Sequence, residues 1–228
     1  MANRHILAID NSMDLLNIAV SGPQGLIDEM CIKESRSASQ ILPEKVEEIL
    51  AANGRSLQDI SELRVTLGPG SFTGIRVGLA FCKGIRAATG IPVRGVPTLD
   101  ALAFALIDKQ GYYLCPLIDA RKSEVFLALY HVSGVTLSRQ TSYMAVKPEE
   151  IPSIIKTPCI CFGTGSHIAE KYLSYLDDVA IIHNDHDNIR AAKLTDERID
   201  AILDDQLPLY PIYCRKSEAE IKFNITID

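Results

Sequence analysis

Apolar and polar positions along the chain follow two alternating periods. Residues 4–10 read as a buried strand, 11–14 as a turn and 15–20 as a second strand. Residues 26–32, after Gly22-Pro23-Gln24-Gly25, read as a third. Short polar turns between consecutive strands predict an antiparallel meander. The period then lengthens: Ile41, Leu42, Val46, Ile49 and Leu50 recur at helical spacing. Ser37 to Ser39 offer caps, Pro43 suits the first turn, and Asn53-Gly54 stops the helix. A strand over 64–67, a Gly-Pro-Gly loop and a helix over 73–88 follow. On that helix Gly74, Val77, Gly78, Phe81, Ile85 and Ala88 share one face. Arg76, Lys83 and Arg86 lie roughly opposite, with Ile75 and Leu79 between as an apolar strip for a partner helix or as part of a broad core face.

The pattern then restarts. After a helix over 99–109, capped by Thr98, a strand over 113–119 ends in Asp119 as the first strand ends in Asp10, and a strand over 125–131 follows. Later, Cys159-Ile-Cys-Phe162 runs into Gly163-Thr164-Gly165-Ser166 and a helical pattern, echoing 65–67 and Gly68-Pro69-Gly70-Ser71. The same units in the same order suggest an internal duplication with a shorter second copy. A three-strand meander followed by alternating helices and strands, given twice, is the layout of the actin, hexokinase and Hsp70 nucleotide-binding fold. The expected class is α/β, an actin-like (ASKHA, ribonuclease H-like) duplicated fold with a reduced second half. Residues 1–98 form the first subdomain and 99–207 the second, with 208–228 returning to the first.

The loop from Gly68 to Gly74 carries the densest local specification. Gly68 and Gly70 permit backbone conformations closed to other residues, Pro69 fixes a dihedral between them, and Ser71 or Thr73 can cap the helix that runs on through Phe72 and Gly74. Such loops aim N–H groups at an anion or let two backbones approach closely. No Gly-Lys-Ser/Thr follows, so this is not a Walker A loop; Thr73 stands where G-x-G-x-x-G needs its last glycine; and Ser71 lacks the flanking glycines of a nucleophile elbow. The two aspartates give the same answer. In an actin-like fold they hold phosphate and magnesium beside a glycine two positions on, yet the chain has Asp10-Asn11-Ser12 and Asp119-Ala120-Arg121. Hydrogen bonding within their own turns is as good a reading of both as catalysis. The loop reads as a rigid mount for the following helix.

Composition narrows the class. With 47% hydrophobic and 23% charged residues the chain has enough apolar side chains for true cores. Its apolar runs fall far short of the roughly 18 residues of a membrane span. The first ten residues lack a signal-peptide layout, so a cytoplasmic location is expected. Six scattered cysteines without a C-x-x-C pair read as reduced thiols, Cys159 and Cys161 sharing one side of a strand. A net charge of -6 argues against broad nucleic-acid affinity. Yet no acidic residue lies between Glu62 and Asp100, where Arg64, Arg76, Lys83, Arg86 and Arg94 predict a local positive surface for an acidic helix or RNA, unless folding brings acids to them. His183-Asn-Asp-His186-Asp187 reads as a solvated turn rather than a metal site.

Leu7-Ala-Ile-Asp10, Gly68-Pro-Gly-Ser-Phe-Thr-Gly-Ile-Arg-Val-Gly78, Ile118-Asp-Ala-Arg121 with Glu124-Val125, Gly163-Thr-Gly165, and Pro211-Ile-Tyr213 with Arg215 follow one another across nearly the whole chain. Together they resemble the TsaB (YeaZ) family, bacterial accessory subunits for the threonylcarbamoyl modification of tRNA adenosine next to the anticodon. The resemblance implies a chain with no catalytic residues of its own that binds and supports the homologous subunit TsaD, with the ATPase TsaE joining. It implies tRNA bound through the complex and a homodimer when TsaD is absent. No cofactor or metal of its own is implied, and a nucleotide at the junction with TsaD is left open. The H-x-x-x-H metal pair of TsaD has no counterpart, since no histidine lies between His5 and His131. Family members pair through the two helices of the first half, which makes Ile41, Lys45, Ile75, Arg76, Leu79, Lys83 and Arg86 the candidate interface. Leu67, Ser37 and Asn11 stand where the family commonly has Arg, His and Thr. The alternative is a small actin-like ATPase or kinase using Asp10 and Asp119 as magnesium-linked carboxylates.

Overall fold

The computed structural model describes residues 4–33, 38–183, 191–202 and 207–215. Ser37, residues 184–187 of the histidine-rich turn and 216–228 lie outside the described residues. Strands β1 (Ile6–Asp10), β2 (Leu16–Gly22) and β3 (Gly25–Ile32) form the meander, with Asp10 opposite Asn17. Helix α1 (Ala38–Ala52) leads to β4 (Glu62–Gly68), parallel to β1. Helix α2 (Phe72–Thr89) leads to β5 (Val93–Pro97), parallel to β4. The first sheet therefore has the order β3-β2-β1-β4-β5. Helix α3 (Thr98–Phe104) follows; it is shorter than the 99–109 expected, and Thr98 lies inside its first turn with Pro97 at the capping position.

The second half consists of β6 (Tyr113–Asp119), β7 (Val125–Leu127), β8 (Tyr130–Ser133), β9 (Thr136–Arg139), β10 (Met144–Val146), β11 (Cys159–Phe162), α4 (Ser166–Leu173), β12 (Val179–Ile182) and α5 (Ala191–Leu194). Its sheet order is β10-β7-β6-β11-β12, which repeats the first sheet position by position. The duplication is thus written in the topology, and the fold is the duplicated, ribonuclease H-like fold of the actin-like class. Helices shrink in the second copy: the 3-10 segment Pro148–Ser153 stands where α1 stood, and α4 has 8 residues against 18 in α2. The strand expected over 125–131 is split. Between its pieces the Leu129 N–H donates to Thr141 Oγ1 and the Leu129 carbonyl accepts from Gln140 N–H, so β7 and β8 pair with opposite ends of β6.

Two-residue alternation sorts the side chains into cores. Leu7, Ile9, Ile18, Val20, Leu63, Val65 and Leu67 point to α1 and α2, where they meet Leu42, Val46, Ile49 and Cys82. The other face of the first sheet carries the small Ala8 and Ala19, and against it pack α3 and the inner face of the second sheet through Leu102, Phe104, Leu114, Phe126 and Phe162. Cys115, Cys159 and Cys161 face a third core under α4; Cys159 and Cys161 do share a side, with their sulfurs 3.9 Å apart. Strands covered on both faces explain the near-continuous apolar runs in the sequence. Among the described residues no helix is long and apolar enough to cross a membrane.

Arg64 breaks the apolar pattern of β4 and is fully buried. Its Nε donates to Glu62 Oε1 at 2.6 Å and its Nη1 to the Leu194 carbonyl at 2.8 Å. Its Nη2 lies 2.7 Å from Asp200 Oδ1 as a charge contact rather than an aligned hydrogen bond. Arg94 reaches the same carboxylate at 3.1 Å, and Arg4 donates to Glu62 at 2.6 Å. Folding therefore brings acids to Arg64 and Arg94, which leave the expected positive surface; Arg76, Lys83 and Arg86 remain exposed on α2. This network pins the chain after α5 to the back of the first sheet.

R64A takes from Glu62 and Asp200 the one fully buried cation that bridges them, leaving Arg4 and Arg94 as their remaining partners, and is expected to cost about 3 kcal/mol in urea unfolding. A pH effect follows as well. Burial pushes the Glu62 carboxyl up, but hydrogen bonds and charge from Arg4 and Arg64 outweigh it and hold the group below its ordinary 4.5. A carboxyl depressed on folding stabilises the fold above its unfolded pKa, and that contribution is lost as pH falls through the folded value. E62Q should be less stable than the parent chain at neutral pH. The gap should narrow below about pH 4.5, read as unfolding midpoints across a pH series.

Candidate functional site

The loop between β4 and α2 lies directly on the turn after β1. Ser71 N–H donates to the Ser12 carbonyl at 2.7 Å, and Asn11 Nδ2 donates to the Gly74 carbonyl at 3.1 Å. A Cβ at Gly70 would overlap the Ser12 carbonyl oxygen, and one at Gly74 the Asn11 carbonyl oxygen. Close backbone approach, not an anion, is what these two glycines serve. Ser71 caps α2, its Oγ accepting from Gly74 N–H at 3.2 Å. Gly68 serves a third segment: its φ is +98°, and next to it the Leu67 carbonyl accepts from Ile212 N–H at 2.7 Å. Leu67 itself is buried against Gly95. In the second copy Gly165 N–H donates to the Leu117 carbonyl at 2.8 Å, and Thr164 Oγ1 accepts from Asp119 N–H at 3.1 Å.

The two aspartates end up in unlike places. Asp10 is wholly buried and accepts from Ser12 N–H at 3.0 Å, Ser12 Oγ at 2.5 Å, Thr66 Oγ1 at 2.8 Å and Asn17 Nδ2 at 3.3 Å. Burial pushes its carboxyl above the ordinary 3.8, against the pull of those bonds. Asp119 faces a cleft of about 1140 Å³ between the halves. Its Oδ1 accepts from Arg121 N–H at 2.7 Å, and Arg121 lies 3.7 Å from Asp119 Oδ2 and, across the cleft, 3.5 Å from Asp14. Arg121, Lys122 and Ser123 all have positive φ, the backbone conformation that glycine would otherwise supply in such a turn, and of the three Arg121 lines the cleft. On the cleft's far wall His183 Nδ1 lies 3.1 Å from Ser166 Oγ and its Nε2 lies 3.4 Å from Glu170. Among the described residues no group of three His, Cys, Asp or Glu is placed to hold a metal.

The expected interface residues divide into two sets. Ile41, Ile75 and Leu79 are 2%, 1% and 4% exposed, so they belong to the chain's own interior and not to a partner-facing strip. The core face of α2 is centred on Ile75, Gly78, Leu79 and Cys82; Val77 and Phe81 are only half-buried and Ala88 is exposed. Gly74 and Gly78 do lie on the packed side, but the phase of the helix is set by its larger side chains, Ile75, Leu79 and Ile85. Lys45 is half-buried and pairs with Glu48 at 2.5 Å. Arg76, Lys83 and Arg86 are exposed beside Ala80, Gly84 and Ala87, while α1 turns Glu44, Glu47 and Glu48 outward. The segment expected to return to the first subdomain runs, over its described residues to 215, along α2, a contact that the sequence reading did not specify. Tyr213 stacks on Phe72 with centroids 5.0 Å apart, Arg76 Nε donates to Tyr213 Oη at 2.7 Å, and Lys83 Nζ stands 4.9 Å from the Tyr210 ring. The segment has no period; its signal was the run Tyr210-Pro-Ile-Tyr213.

Comparison with known proteins bears on this arrangement. A family model described as TsaD, tRNA N6-adenosine threonylcarbamoyltransferase, matches residues 31–181. The tRNA threonylcarbamoyladenosine biosynthesis protein TsaB of Escherichia coli (strain K12) is 36% identical over 149 residues, 63% of either chain. Its namesake in Haemophilus influenzae is 34% identical over 131 residues, 56% of this chain and 54% of that one. The matched region thus spans a little over half to about six tenths of those relatives' length. Among solved structures, YeaZ from Pseudomonas aeruginosa superposes with a TM-score of 0.71 at 22% identity, covering 92% of this chain and 99% of that one. With two thirds of its length under the family model and these relatives beside it, the chain belongs to the TsaD-type family and, within it, to the TsaB (YeaZ) group.

Proposed function

We propose that the chain is a non-catalytic accessory subunit that binds and supports a TsaD homologue in forming N6-threonylcarbamoyladenosine at position 37 of tRNA. A TsaE homologue joins the assembly, and the chain acts in the cytoplasm. The observation that carries this reading is the first hairpin: Asp10 is sealed under four donors, and the loop that would face a phosphate is closed by backbone contacts at Gly70 and Gly74. Three of those donors meet Oδ1 and one meets Oδ2, and the carboxylate is wholly buried beneath the loop, away from the cleft lining. The second hairpin, with Arg121 across Asp119, adds a tethered cation where an ATPase would place metal and phosphate.

The partner surface in this reading is the outward side of α1 and α2. An acidic ridge, Glu44, Glu47 and Glu48, stands beside a basic one, Arg76, Lys83 and Arg86, and Ala80, Gly84 and Ala87 leave room for a close-packed helix between them. Paired ridges of opposite sign suit a homologous partner with the same layout, so the face also accommodates a second copy when TsaD is absent. Binding there shifts TsaD toward its competent state, and a nucleotide belongs to the junction of the two subunits rather than to this chain's cleft.

Leu79 is unsuited to testing this face, since a charge there would disrupt the interior. A80E and R86E lie outside it. Each is expected to weaken co-purification with the TsaD homologue about tenfold or more, with the melting temperature of the isolated chain unchanged; unaltered co-purification would place the interface elsewhere. Calorimetric titration of the isolated chain with magnesium-ATP should show no micromolar site. A micromolar site with turnover would replace this reading by the small ATPase or kinase that uses Asp10 and Asp119.

A further inference from the structure

We infer that the aromatic strip laid along α2 by residues 207–215 is a stacking platform for unpaired RNA bases, carried by this chain itself. It deepens the function proposed above and takes its RNA from that reading, but its evidence is separate. Phe72, Tyr210 and Tyr213 are 39%, 69% and 43% exposed and gather in one place, whereas the exposed Leu26, Val135 and Tyr175 stand on separate elements. Each ring of the strip has a cation beside it. The Arg76 guanidinium lies 3.7 Å over Phe72 and 5.7 Å from the Tyr213 ring, and Lys83 Nζ lies 4.9 Å from Tyr210.

The combination selects the ligand. Arg76 and Lys83 also stand in the basic ridge of the proposed partner face, so what the strip adds to that face is its exposed rings, which an acidic protein surface would leave in water; an apolar surface would strip water from the two cations without replacing it. An unpaired nucleotide offers both a π-face for a ring and a phosphate for a cation. A duplex offers only phosphates, because its base faces are stacked inside. The two ring-and-cation units, Arg76 with Tyr213 and Lys83 with Tyr210, are two helical turns apart, about 10 Å, so separate bases can occupy them. Arg76 and Lys83, exposed with Arg86 along α2, put the positive charge at the strip in a chain of net charge -6.

Tyr210 gives the cleanest test, because its ring is the most exposed and its loss leaves no cavity. Fluorescence anisotropy of the full chain with a short labelled single-stranded oligoribonucleotide should show tighter binding than with the same sequence as a duplex. Y210A should weaken single-strand binding about five- to a hundredfold, and Y210F should restore it, since stacking needs the ring and not the hydroxyl. K83Q should lower the slope of log affinity against log salt by about one contact. Equal affinity for single strand and duplex, or Y210A indistinguishable from the parent chain, would overturn the proposal. So would Y210A that loses the TsaD homologue while keeping its RNA affinity, which would make the strip a protein-docking surface. Unaltered co-purification of A80E, together with single-strand binding that Y210A weakens, would move the interface elsewhere and support the platform on its own.

Discussion

The backbone of the loop before α2 rests on the backbone of the turn after β1, and much of the site's architecture follows from that contact. Ser71 N–H on the Ser12 carbonyl and the Asn11 amide on the Gly74 carbonyl fix where α2 begins and in which direction it leaves the sheet. Only glycine at positions 70 and 74 lets the two strands of backbone come so near. The same contact covers the end of β1, where Asp10 is buried and accepts from Ser12, Thr66 and Asn17. The Asp10 carboxyl, raised by burial, holds the turn that holds the loop.

The second copy follows the same plan with a different outcome. Gly165 and Thr164 close on β6 as Gly70 and Ser71 close on the first turn, but Asp119 stays at the cleft surface. Arg121 answers it from its own turn. The two copies are joined by a core that uses Ala8 and Ala19 on one side and bulky Phe126 and Phe162 on the other, small against large. At the edge of that core Arg64 ties β4 to the chain after α5 through carboxylates and a carbonyl. Such an ionic tie adds less net stability than apolar packing would, but it penalises any arrangement that separates its members.

Most of the framework was legible in the sequence because it rests on local rules. Short apolar runs bounded by turn residues located β1, β2, β3, β6 and β11, and glycines at strand ends located both loops. The repeat of Asp10 and Asp119 announced the duplication that the two sheet orders display. What was not legible depends on contacts between distant segments. Arg64 and Arg94 looked like surface charge until Asp200, more than a hundred residues away, was placed against them. The break between β7 and β8 is made by Gln140 and Thr141, which no local pattern connects to Leu129. Helix α2 was misphased for a related reason. Its small residues occur on both the packed and the exposed sides, so size alone does not say which side is the core.

That ambiguity is itself informative about α2. A helix with one job can keep large side chains inward and charged ones outward. This one meets the turn after β1 through Gly74, the first sheet through Gly78, Leu79 and Cys82, and residues 207–215 through Arg76 and Lys83, and still exposes Ala80, Gly84 and Ala87. Three of its sides are committed within the chain, and the fourth is stripped of bulk. Ala80 and Ala87 are the best of helix formers, but Gly84 costs an exposed helix position about 1 kcal/mol relative to alanine, a cost its surroundings within the chain do not explain. That bare side is the feature on which the proposed partner face rests, as the close approach at Gly70 and Gly74 is the feature on which the loop rests.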